Sequence, residues 1–150
     1  MTSITYLAQD ESFLTQFRGT FKGLLSWQQL DDFWIALRAR MDAGWYIYAV
    51  GQEPPHRPLP AAEVEAFIRE IDALLRREHE EDYCGIVYAD NVQRPTFVKI
   101  FDPHNLGVAC GSSKNPPLPG WIMSLSQPVT LEARPQPGNR RRWWQALWAG

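Results

Sequence analysis

AAEVEAFIREIDALLRREHE, residues 61–80, sets Val64, Phe67, Ile68, Ile71, Leu74 and Leu75 three and four positions apart, with charged residues between them. That period gathers the apolar side chains on one stripe and predicts an amphipathic helix with a face to bury. Pro60 stands just before it, where a missing N–H costs nothing and a fixed φ suits a helix start. Upstream, residues 51–60 read GQEPPHRPLP, a turn-rich loop with four prolines. Trp45 to Val50 before that loop is aromatic and β-branched and predicts a strand. Downstream, Tyr83 to Ala89 predicts a second strand. A long helix between two strands permits a crossover across a sheet.

Further out, Thr96 to Phe101 predicts a third strand, with Phe97 and Lys99 on one face and Val98 and Ile100 on the other. Asp102-Pro103-His104-Asn105 is turn chemistry, and it predicts an antiparallel hairpin of 96–101 with 106–110. Trp121 to Leu125 and Val129 to Glu132 are the last strand pieces, with Pro128 favouring an edge or a bulge. On the N-terminal side, Phe13, Phe17, Phe21 and Leu24 predict a helix over 11–24, weakened by Gly19 and Gly23. Ser26 with Gln29 has the form of a capping box. Trp27, Leu30, Trp34, Leu37 and Met41 then predict a helix over 27–42, ended by Gly44. Residues 142–147 predict a short terminal helix.

The resulting fold class is α+β: a mostly antiparallel sheet of four to five strands with two or three amphipathic helices packed on one face. We expect one domain over 1–150, with 133–150 as a basic aromatic extension. At 150 residues and 45% apolar content the chain can bury a core without staples.

Charge is divided unevenly. Residues 1–132 hold 11 bases and 17 acids, a net 11 − 17 = −6, whereas 133–150 hold four arginines and no acid, a net +4. The acidic body argues against a nucleic-acid partner, because it would repel a phosphate backbone. Cys84 and Cys110 form neither a disulfide framework nor a zinc signature, and reduced thiols in a cytoplasmic setting are expected. No basic region followed by an apolar run opens the chain, so no signal peptide is expected. The longest nearly apolar stretch, Gly44 to Gly51, is too short for a membrane span.

Four constellations could carry function. The first is Asp102, His104 and Cys110, an acid, an imidazole and a thiol around one hairpin. A regular hairpin would leave Cys110 about 13 Å from the turn, too far for the hydrogen bond an activated thiol needs. The second is the acidic run Glu78 to Asp82 with His79 at the end of the long helix. Its spacing is poor for a metal, and it offers a docking site for Arg140, Arg141 and Arg142. The third is the loop 111–120, where Lys114 and Trp121 are candidates for ligand contact. Its prolines remove the backbone donors a phosphate loop needs, and Pro116 to Pro119 also has the PxxP form of a polyproline II ligand.

The fourth is the C-terminal tail, which holds three of the chain's seven tryptophans. Arginine with tryptophan is a frequent interface composition, so Arg140, Arg141, Arg142, Trp143, Trp144 and Trp148 are the candidate partner-binding residues. The expectation is a non-catalytic regulatory or assembly factor that binds another protein or itself, without cofactor, metal or membrane. The alternative is a small enzyme or ligand-binding domain with a pocket near 102–121.

Overall fold

A computed structural model describes residues 11–104, 117–132 and 136–149. After helical turns over 11–17 (α1) come strand β1, Lys22–Gly23, helix α2, Trp27–Arg38, and strand β2, Tyr46–Ala49. Helix α3, Ala61–Glu78, leads to strands β3, Val87–Ala89, β4, Phe97–Ile100, and β5, Trp121–Ser124, and helix α4, Gly138–Trp148, closes the order. The five strands form one sheet in the order β1-β3-β4-β5-β2, and every neighbouring pair is antiparallel. The fold is therefore α+β, with α2, α3 and α4 on one face of the sheet.

The stripe read from residues 61–80 is the one the fold buries. Val64, Phe67, Ile68, Ile71, Leu74 and Leu75 are the buried residues of α3. They meet Leu30, Phe33, Trp34 and Leu37 of α2 and the sheet side chains Ile47, Ala49, Val87, Val98, Ile100 and Met123. Alternate strand positions point the other way, as a pleated strand requires. Tyr48, Phe97 and Ile122 on that second face pack with Phe13, and Phe17 and Phe21 lean on the same cluster.

Polar contacts set how α2 and α3 lie together. Trp34 Nε1 donates to Asp72 Oδ1 at 2.9 Å, and Arg76 bridges Asp72 at 3.0 Å and Asp31 at 2.5 Å. The capping box is present: Gln29 N donates to Ser26 Oγ at 3.0 Å, and the Gln29 side chain accepts from the Ser26 backbone. Helix α2 ends at Arg38, earlier than expected, and 39–42 continue as turns to Gly44, whose φ is +97°.

Three differences from the sequence reading have physical causes. The first helix stops at 17, and 22–23 join the sheet edge instead. Gly23 pairs with Tyr88, and a Cβ on Gly23 would lie 2.8 Å from Tyr88 Cε2, so this edge position accepts the aromatic ring only as glycine. The second strand starts at Val87 rather than Tyr83 because Gly85 has φ +68°, which breaks the extended run. Residues 129–132 form no strand. Instead Leu131 N donates to the Tyr48 hydroxyl at 3.0 Å, and Val129 and Leu131 cover the second face of the sheet.

β4 pairs with β3 on one edge and with β5 on the other, and the 106–110 arm of the expected hairpin lies outside the described residues. The terminal helix is longer than expected and starts at Gly138, after Pro137.

Candidate functional site

A buried arginine ties the C-terminal helix to the body. Arg140, near the start of α4, is 4% exposed and is the buried residue of that helix. Its Nε donates to Asp102 Oδ2 at 2.8 Å and its Nη2 to Asp102 Oδ1 at 3.0 Å. The same guanidinium donates from Nη1 to Glu78 Oε2 at 2.9 Å and from Nη2 to Glu78 Oε1 at 2.8 Å. Two carboxylates thus hold one arginine in paired, fork-like hydrogen bonds, the geometry for which guanidinium is suited and ammonium is not.

Each member reaches the cluster by a local rule. Glu78 is the last residue of α3. Asp102 follows β4 by two residues and folds its own turn, accepting from His104 N at 2.9 Å. His104 Nε2 then lies 2.6 Å from Glu78 Oε1, with a largely exposed ring. Two carboxylates close to each other need a cation between them, and Arg140 supplies it. Its hydrogen bonds, with Arg140's charge, hold the Glu78 carboxyl at about 2, well below its ordinary 4.5, against a smaller opposing effect of burial. Burial alone would lower the Arg140 pKa, and the hydrogen bonds to Asp102 and Glu78 overcome it, so the guanidinium is held firmly protonated.

Aromatic packing continues the attachment. Trp143 sets its ring edge-on to Trp121, with centroids 5.5 Å apart, and Trp144 and Phe67 meet at 6.2 Å. Trp144 also packs edge-on against Trp148 at 5.2 Å. These tail tryptophans remain half-buried, while Arg141 and Arg142 are exposed. The start of the tail is pinned too, since Gln136 Nε2 donates to Gly120 O at 3.2 Å. The described part of the protein therefore combines Trp-rich aromatic clusters with a basic helix surface.

The residues singled out from sequence fall into separate places. Arg140 is among the expected partner-binding arginines, yet its side chain points inward and makes four hydrogen bonds to Glu78 and Asp102. Glu78, from the acidic run, receives it. Asp102 and His104 belong to the same ion cluster, whereas Cys110 and Lys114 lie outside the described residues. Trp121 has no exposed surface, and its Nε1 finds no hydrogen-bond partner among the described residues. The other cysteine, Cys84, is buried, and burial pushes its thiol pKa up, away from a reactive thiolate. Among the described residues no group of three or more His, Cys, Asp or Glu side chains could hold a metal ion, and no helix is long and apolar enough to cross a membrane.

A second feature, missed in the sequence, lies beside Tyr88 of β3 and Lys99 of β4. A cavity of about 390 Å³ opens beside Phe21, Ile86, Tyr88, Lys99 and Phe101, with Pro117 at its border. Its sequence signal was a single lysine inside the apolar strand TFVKIF, residues 96–101. No family model, curated protein or solved structure matches the chain.

Proposed function

We propose that this protein is a small cytoplasmic binding domain, regulatory or assembling in role, that uses the outer side of α4 to hold another protein. The carrying observation is the division of labour along that helix. Arg140 faces inward and is held by Glu78 and Asp102, while the exposed Arg141 and Arg142 stand beside the half-buried Trp143, Trp144 and Trp148. A helix clasped in this way presents its cations and ring edges in one orientation. Preorganised tryptophan and arginine are the side chains that most often dominate protein interfaces. With no acid in residues 133–150, an acidic partner surface is the complementary one.

The test is affinity capture from native cell extract with the whole chain, beside Arg141→Glu/Arg142→Glu. Those exchanges leave the Arg140 clasp in place. A partner retained by the wild type and lost by the variant, with unchanged melting, supports the reading, and a second copy of this chain counts as such a partner. Retention of the same proteins by both refutes it.

The alternative of a ligand-binding domain near 102–121 draws support from the cavity beside Phe101 and Pro117. Its catalytic form draws none from Asp102, whose carboxylate oxygens are engaged by Arg140.

A further inference from the structure

Lys99 occupies the middle of β4, between Tyr88 of β3 and Ile122 of β5 on the second face of the sheet. Its Nζ stands over two ring faces, 4.2 Å from the Phe17 centroid and 4.0 Å from the Phe21 centroid. Ring faces attract a cation but accept none of the strong hydrogen bonds that an ammonium with three donors can make. Among the described residues no carboxylate lies within ion-pair distance of it: the ion pairs there belong to other cations. Burial accordingly lowers the Lys99 pKa. The ion cluster of Arg140 shows the opposite solution, a buried cation given two acids. Residues 105–116, which join the turn at His104 to Pro117, contain one further lysine and no acid.

This incompletely compensated cation borders the cavity of about 390 Å³, a volume in the range of small-molecule sites, roughly 300–1,000 Å³. The remaining wall is mostly aromatic and apolar, with His79, Tyr83, Cys84 and Tyr88 as its other titratable groups, and burial keeps the Cys84 thiol protonated. His79 is already engaged through Nε2 with Cys84 O at 2.8 Å. An aromatic wall, with the Tyr88 and Phe101 rings 80° apart, beside one partly desolvated positive charge suits a ligand with a planar apolar body that can meet ring faces and edges and with one negative end. We propose that this cavity binds a small organic carboxylate with a planar apolar body, its carboxylate pairing with Lys99 and its body lying against Phe21, Tyr88 and Phe101. The site is separate from the α4 surface, so either can fail without the other.

The experiment uses the ¹⁵N-labelled full chain with benzoate and its neutral counterpart benzamide as probes. Benzoate is expected to shift the amides of Gly85, Lys99 and Phe101 saturably and to bind at least about tenfold more tightly than benzamide, a difference of about 1.4 kcal/mol. Lys99→Met keeps the length and apolar stem and is expected to erase that preference. Should this variant fold poorly, the Lys99 ε-methylene resonance of the wild type provides the readout, because saturation with benzoate should raise the Lys99 pKa. Equal binding of the two probes, no saturable shift, undiminished benzoate preference in a folded Lys99→Met, or a Lys99 pKa indifferent to benzoate would each overturn the proposal.

Discussion

Arg140 and Glu78 are 62 residues apart in the chain and meet through two hydrogen bonds of 2.9 and 2.8 Å. This pair joins the last turn of α3 to the first turn of α4, and Asp102 locks it from the end of β4. Removing the guanidinium would leave two carboxylates facing each other with little solvent. Arg140→Met should therefore destabilise the fold by about 3–5 kcal/mol, the usual cost of breaking a buried pair from one side. Urea denaturation measures it. A loss below about 1 kcal/mol would mean that the clasp is dispensable.

Acid should release the same contact. Glu78 titrates at about 2 in the folded protein against an ordinary 4.5. Its folded pKa is depressed, so its contribution is fully present above 4.5 and is lost as pH falls from 4.5 towards 2. Allowing for solvent reaching the carboxylate, the contribution is roughly 1–3 kcal/mol. Denaturation midpoints should fall across that window in the wild type and much less in Glu78→Gln. Parallel pH profiles for the two proteins would contradict the assignment.

The α+β class and α3 were legible because one stripe, Val64 to Leu75, has a single period and a single destination. The N-terminal segment was not, because its phenylalanines keep helical spacing without staying in one helix. Phe13, Phe17 and Phe21 all reach the ring of Phe97, at 5.3, 6.4 and 5.6 Å, although the helix ends before Phe21. Spacing along a chain cannot distinguish a continuous helix from a helix and an extended strand converging on one ring. In the candidate site, the excess of tail arginine and the acidic end of α3 announced a contact between them. The role of Asp102 was hidden, since an aspartate before Pro103 reads equally well as a turn residue, and here it serves both purposes. Lys99 was hidden because its lack of an ion-pair partner among the described residues is a three-dimensional property.

Gly23 supplies a test of the sheet edge. The Tyr88 ring lies where a Cβ on residue 23 would stand, at 2.8 Å, so Gly23→Ala must displace the ring or part β1 from β3. Overpacking of this kind costs about 1–3 kcal/mol. Repeating the exchange in Tyr88→Ala should remove most of that cost, as contacting residues are not additive. An identical cost in both backgrounds would place the penalty in the backbone rather than in the ring.

Three buried tryptophans differ in what their indole N–H does. Trp34 donates to Asp72 at 2.9 Å and Trp45 to Arg40 O at 2.8 Å, whereas Trp121 Nε1 is buried without a hydrogen-bond partner among the described residues. Replacing each by phenylalanine removes one ring and one N–H. At positions 34 and 45 the change also strands an acceptor, adding about 1–3 kcal/mol wherever that acceptor stays dry. At position 121 it removes a polar group that is itself costly to bury, which offsets part of the lost packing against Trp143. Trp121→Phe should therefore cost least of the three in urea denaturation. The ranking fails if Trp121→Phe costs more than Trp45→Phe, and that outcome would mean that the edge-on contact with Trp143 outweighs the unsatisfied N–H.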